Sequence, residues 1–88
     1  MKALVYTGQF KRDYKLAQKR GKNILLLKEV VGELALGNDL PLKNQDHSLT
    51  GNYKGCRECH IEPDWLLVYE TTDIEITLIR TGSHSDLF

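Results

Sequence analysis

The segment Asn52–Thr81, NYKGCRECHIEPDWLLVYETTDIEITLIRT, holds three stretches of strand character separated by two turns. Asn52 to Ile61 alternates. Successive side chains of a strand point to opposite faces, so Lys54, Cys56, Glu58 and His60 share one face. Tyr53, Gly55, Arg57, Cys59 and Ile61 share the other. Glu62-Pro63-Asp64 reads as a turn, with proline at its favoured second position. Trp65 to Glu70 is apolar almost throughout, as expected of a central strand buried on both faces. Thr71-Thr72-Asp73 turns the chain again. Ile74 to Thr81 then alternates, with Ile74, Ile76, Leu78 and Arg80 on one face. Gly82 ends this strand, and Ser83 to Phe88 reads as a short tail.

The N-terminal half has a different period. Ala3 to Tyr6 is a short strand, and Thr7 is a candidate N-cap. From Gln9 to Arg20 the apolar residues Phe10, Tyr14 and Ala17 recur at helical spacing, while Lys11, Arg12, Lys15, Lys19 and Arg20 point elsewhere. Gly21 suits the left-handed residue after a helix. Asn23 caps a second helix, Ile24 to Leu36, whose stripe is Ile24, Leu27, Val31 and Leu34, widened by Leu26 and Val30. Gly37 or Asn38 ends it, and Pro41 prevents its resumption. Leu42 to Gly51 is a polar connection. The order is βααβββ, which predicts one α+β domain over residues 1–88. Its antiparallel sheet carries both N-terminal helices on one face.

The chain has 88 residues, 41% hydrophobic and 27% charged, which places it among soluble globular proteins rather than disordered or membrane ones. It has no run of about 18 apolar residues, so no transmembrane helix is expected. Met1 to Tyr6 lacks the apolar core of a signal peptide, so a cytoplasmic location is expected. Net charge is zero but unevenly spread. Met1–Lys28 holds eight basic residues and one acid (+7), and Glu29–Phe88 holds four basic residues and eleven acids (−7). A basic N-terminal segment of this kind fits a solvated helix face or a surface that meets phosphates.

Asp46 to Asp64, DHSLTGNYKGCRECHIEPD, gathers both cysteines and two of the three histidines. Cys56-Arg57-Glu58-Cys59-His60 matches the C-x-x-C-H pattern of c-type haem attachment. An alternating strand sends Cys56 and Cys59 to opposite faces, which is wrong for haem and poor for zinc held with His47, His60 and His84. The cysteines are expected as filler, Cys59 facing the core and Cys56 near the rim, and no metal or other cofactor is expected. The histidines carry more information, because imidazole both accepts and donates a proton near neutral pH. Glu58 and His60 share a strand face, and the turn at Pro63 can fold Asp64 back towards His60. Metal-free RNA cleavage needs such a set. A base removes the 2′-OH proton, a cation steadies charge on phosphorus, and an acid protonates the leaving 5′-oxygen.

The sequence resembles the YafQ branch of the RelE superfamily, the ribosome-dependent mRNA interferase toxins of type II toxin–antitoxin systems. The carrying residues are Leu16-Ala17-Gln18-Lys19-Arg20, Leu40-Pro41-Leu42 and Asp46-His47 with Leu49 and Gly51. They continue with Lys54-Gly55, Arg57, His60, Glu62-Pro63-Asp64-Trp65 and Tyr69, and end with Arg80-Thr81-Gly82, His84 and Leu87-Phe88. The resemblance spans nearly the whole chain and implies the small α+β fold related to microbial ribonucleases. It further implies that mRNA is cleaved in the ribosomal A site without a metal, inhibiting translation. His84 would be the main acid–base residue, His60 with Asp64 would supply or orient the base, and His47 would complete the pocket. Arg80 would stabilise the phosphorane, Lys54 would hold a backbone phosphate, and Phe88 would stack on a base. Glu58 would keep a substrate-pocket carboxylate, one methylene longer than the Asp often found in relatives. Lys11, Arg12, Lys15, Lys19 and Arg20 would rest on ribosomal RNA. The implied partners are the ribosome, mRNA and a DinJ/RelB-like antitoxin, with neither membrane nor independent DNA binding. The rival expectation is a catalytically silent module of the same fold, acting only through a protein partner.

Overall fold

The computed structural model describes residues 1–88. Strand β1 (Ala3–Tyr6) leads into helices α1 (Gly8–Lys19) and α2 (Ile24–Ala35). Strands β2 (His47–Ser48), β3 (Arg57–Glu62), β4 (Trp65–Thr71) and β5 (Glu75–Gly82) follow, then helix α3 (His84–Leu87). The α+β class is as expected. The helix starts follow the caps read from the sequence: Phe10 N–H donates to Thr7 Oγ1 at 3.0 Å and Leu25 N–H to Asn23 Oδ1 at 3.1 Å. Gly21, at φ +76°, takes the left-handed conformation that ends α1.

The five strands lie in the order β1-β5-β4-β3-β2. The sheet is mixed rather than antiparallel, because β1 pairs with β5 in parallel, Ala3 opposite Glu75 through Tyr6 opposite Leu78. Element order alone does not fix which strand β1 joins, and the long helical connection lets it lie parallel to its neighbour. The strand expected from Asn52 begins only at Arg57. Gly51–Tyr53 forms a 3₁₀ turn, and Gly51 and Gly55 sit at φ +69° and +91°, which break an extended run. Ser83 to Phe88 is not a tail. Ser83 Oγ accepts from Asp86 N–H while an Asp86 oxygen accepts from Ser83 N–H, and this capping box starts α3.

A core of twelve buried residues fills the space between α1, α2 and the sheet. Phe10 and Ala17 of α1 and Leu27, Val30, Val31 and Leu34 of α2 meet Cys59, Trp65, Leu67, Tyr69, Ile76 and Leu78. The opposite face of the sheet carries a smaller cluster, Cys56, Leu66, Val68 and Leu87, flanked by Leu49, Tyr53 and Ile79. The cysteines therefore do lie on opposite faces, but Cys56 is buried in this second cluster rather than at the rim.

Two bulges set where the polar residues point. Val68 faces Arg80 and Tyr69 faces Leu78, so Ile79 is the extra residue in β5. The slip moves Arg80 off the face of Ile76 and Leu78, where strict alternation had put it, and onto the face of Val68. The second bulge, between His60 and Glu62, ends the regular pairing of β3 just before the turn to Asp64.

Candidate active site

The face of the sheet away from α1 and α2 assembles a row of titratable side chains. Directly opposed residues of an antiparallel pair share a face, so Glu58 lies with Val68 and His60 with Leu66. The short strand β2 brings His47 opposite Glu58. His47 Nε2 is 3.4 Å and His60 Nε2 3.8 Å from the same oxygen, Glu58 Oε1. Glu58 is 5% exposed, so its carboxylate is sheltered and reached by imidazoles from both sides. The His60 and His84 rings stand edge to face, centroids 5.6 Å apart.

His84 ends the row and Asp64 holds it. One Asp64 oxygen, Oδ1, accepts from the His84 backbone N–H at 3.0 Å and pairs with ring Nδ1 at 2.8 Å. A carboxylate can only accept, so Nδ1 carries the hydrogen and Nε2 is the nitrogen left for proton exchange. The two bonds, backbone first, hold the Asp64 carboxyl below the usual carboxylate range. Asp64 thus folds onto His84, not His60 as the turn had suggested. The cause is α3, whose first residue is His84.

The supporting contacts are local. His47 Nδ1 lies 2.7 Å from Gln45 O, a carbonyl that fixes the hydrogen on Nδ1 and leaves Nε2 to face Glu58. Buried Asn44 donates to His60 O at 2.7 Å. Asp46 Oδ1 accepts from Tyr69 OH at 2.8 Å and from Arg57 Nε at 3.2 Å, which pins the chain just before His47.

Beside the row, Arg80 is gripped by Asp13, with Nε to Oδ2 at 3.0 Å and Nη2 to Oδ1 at 3.1 Å. The Asp13 carboxylate first, and Tyr53 nearby, raise the guanidinium pKa above its ordinary value. Tyr53 meets Phe88 edge to face at 5.7 Å, and Phe88 is 64% exposed. Lys54 follows Tyr53 and is exposed. Asp13 was missed in the sequence. The signal was there: it is the one acid in a basic segment, and it sits three residues from Phe10 on the buried face of α1.

The five basic residues of the first helix region do not share one environment. Lys11 and Lys15 line an open, largely apolar cleft with Tyr14, Leu27 and Val31. Arg12 donates to Gln9 at 3.0 Å, and Lys19 is exposed. Arg20 pairs with Asp86 at 2.6 Å.

Glu58, His60 and His84 bring one ligand atom each to within 4.8 Å of one another. A carboxylate and two imidazoles suit a divalent transition metal. Neither cysteine joins them. Burial pushes the Cys59 thiol up to about 12, far from the thiolate that metals bind.

Comparison with known proteins places this geometry. The profile of the family described as "Bacterial toxin of type II toxin-antitoxin system, YafQ" matches residues 2–88. The mRNA interferase toxin YafQ of Escherichia coli is 47% identical over 85 residues, spanning 94% of this chain and 91% of that protein. The crystal structure of the E. coli DinJ-YafQ toxin-antitoxin complex superposes with a TM-score of 0.92 at 43% identity, covering 99% of this chain and 97% of that one. The crystal structure of a metal-bound toxin from Helicobacter pylori superposes with a TM-score of 0.93 at 42% identity over the full length of both chains (100% of each). The chain with its Asp64–His84–His60–Glu58–His47 row belongs to the YafQ family, bacterial toxins of type II toxin–antitoxin systems.

Proposed function

We propose that this toxin is an endoribonuclease that cuts mRNA in the A site of the ribosome, in the cytoplasm, and so stops translation. The observation that carries the reading is the row itself, two imidazoles set edge to face with a sheltered carboxylate behind one and an exposed carboxylate behind the other. Cleavage by the ribose 2′-OH needs such a pair of proton-transfer groups on either side of one phosphate.

In this scheme the 2′-OH gives its proton to the Glu58–His60 pair. The 2′-oxygen bonds to phosphorus as the bond from phosphorus to the 5′-oxygen breaks. His84 Nε2 delivers a proton to that leaving oxygen, and Asp64 steadies the ring through Nδ1. Asp13 occupies Arg80 Nε and Nη2, which leaves Nη1 to face the extra charge on the phosphoryl oxygens. Lys54 holds a neighbouring phosphate, and Phe88 stacks on a base, worth about 1–3 kcal/mol. His47 closes the far end of the pocket.

The proton transfers use only side chains of the protein. A divalent ion bound at Glu58, His60 and His84 would supply Lewis-acid polarisation of a phosphoryl oxygen, but it would take side-chain atoms that the scheme uses to accept and deliver protons. Lys11, Arg12, Lys15, Lys19 and Arg20 rest on ribosomal RNA, and a DinJ/RelB-like antitoxin holds the toxin silent.

The test is primer extension on a reporter mRNA translated in a purified system, with wild type and His84→Ala in parallel. Cuts within the reading frame that require ribosomes and vanish with His84→Ala are expected. No cut by wild type at any codon offered would overturn the reading.

A further inference from the structure

We propose that Arg20 and Asp86 are positioning residues that lock the one-turn helix bearing His84 and so aim its free imidazole nitrogen. The inference rests on His84 being the proton donor of the scheme above. Helix α3 has four residues, too few to be stable alone. It has three attachments besides the Asp64 bond, one of them the edge-to-face contact of its C-cap Phe88 with Tyr53. Leu87 is buried with Cys56, Leu66 and Val68. On the other side Asp86 does two jobs with one carboxylate. Its Oδ2 accepts from Ser83 N–H at 2.9 Å, closing the capping box, and from Arg20 Nη1 at 2.6 Å. Oδ1 accepts a weaker second bond from Arg20 Nη2 at 3.4 Å.

Arg20 is itself the C-cap of α1, its backbone N–H bonded to Leu16 O at 3.0 Å, and the next residue, Gly21, donates to Gln18 O at 3.1 Å. The guanidinium therefore ties the end of a long, well-packed helix to the residue two positions after His84. Gly82 completes the arrangement. A methyl group there would lie 3.0 Å from both Cβ and Oδ2 of Asp86, closer than real contacts normally come. A lone ion pair this exposed adds little stability. Its value here is geometric, since it ties α3 to the end of α1 through the residue that closes the capping box. Arg20 thus leaves the set of basic residues assigned above to ribosomal RNA.

The variants are Arg20→Ala, Arg20→Lys, Asp86→Asn and Gly82→Ala, the last disturbing Asp86 without changing any charge. Two readouts are taken. Imidazole and amide NMR report the Nδ1–H and backbone N–H of His84, with the buried Trp65 indole signal as the check on folding. Cleavage kinetics on programmed ribosomes report kcat and KM separately. With the Trp65 signal in place, Arg20→Ala, Asp86→Asn and Gly82→Ala are expected to shift the His84 signals towards those of a free imidazole. Their kcat should fall about 10–100-fold, the size of effect that misplacing a catalytic group produces. KM should hold, and Arg20→Lys, which keeps a cation on Oδ2, should recover most of the loss.

His84 signals unmoved in Arg20→Ala and Asp86→Asn would overturn the proposal. So would a rise in KM with kcat unchanged in Arg20→Ala, the mark of a ribosome contact. If wild type itself cut nothing while the His84 signals still shifted, the ribonuclease reading would fall and the positioning role would stand.

Discussion

Asp13 offers the sharpest energetic prediction, because one carboxylate 7% exposed satisfies donors from three residues. It accepts from Arg80 Nε and Nη2, from Thr81 N–H at 3.2 Å and from Gln9 Nε2 at 3.0 Å. Asp13→Ala removes all four bonds and leaves a partly buried guanidinium without its counter-charge. Breaking a buried pair on one side typically costs about 3–5 kcal/mol. The orphaned Thr81 N–H accounts for about 1–3 kcal/mol of comparable losses. The two overlap, so about 3–5 kcal/mol is expected in total. In urea the midpoint should fall with the slope unchanged. The melting temperature should drop by at least about 12 °C, at about 4 °C or more per kcal/mol for a domain of this size. Asp13→Asn keeps an acceptor but not the charge and should lose about half as much, which leaves a folded variant to study. The coupling to Arg80 comes from a double-mutant cycle with Arg80→Ala and should be well above about 0.5 kcal/mol. A loss below about 1 kcal/mol for Asp13→Ala, additive with Arg80→Ala, would show that Asp13 does not hold Arg80.

Three further outcomes follow from single contacts. Thr81→Val should cost about 1–3 kcal/mol in denaturant unfolding, because Trp65 Nε1–H and Leu66 O both bond to Thr81 Oγ1, at 2.9 and 2.7 Å, and are left buried without it. Cys59, fully buried with its thiol pushed up to about 12, should resist Ellman's reagent in the native protein and react once urea unfolds the chain. Asp64 is held below its ordinary value of 3.8, so its bond to His84 contributes fully above that value and is lost as pH falls through the lower one. The His84 amide signal should accordingly titrate with a midpoint below 3.8, and a midpoint at or above it would contradict the clamp.

Much of this was legible beforehand, for identifiable reasons. Capping chemistry is local, so Thr7 and Asn23 marked both helix starts. Alternation through Cys56, Glu58 and His60 correctly put these three on one face, opposite Cys59. What failed needed information the local pattern does not hold. The parallel pairing of β1 with β5 depends on where the chain returns after two helices. The Ile79 bulge shifts Arg80 by one position and cannot be seen in a clean alternating run. The last six residues looked like a tail because a one-turn helix has no periodicity to read. Ser83 with Asp86 three residues on was nevertheless a capping-box signature. Missing that helix misdirected Asp64, whose partner is the first residue of α3. Asp13, the lone acid among eight bases, was visible as an anomaly but was not read as the partner of Arg80.

The chemistry of the cut ends bears on the proposed mechanism more than any rate does. Attack by the 2′-OH leaves a 2′,3′-cyclic phosphate on the upstream mRNA fragment and a 5′-hydroxyl on the downstream one. End-labelling and mass spectrometry of mRNA cut on ribosomes by the wild-type protein should find this pair. A 5′-phosphate on the downstream fragment would mean that water, not the ribose, attacked phosphorus, and the Glu58–His60–His84 scheme would be wrong.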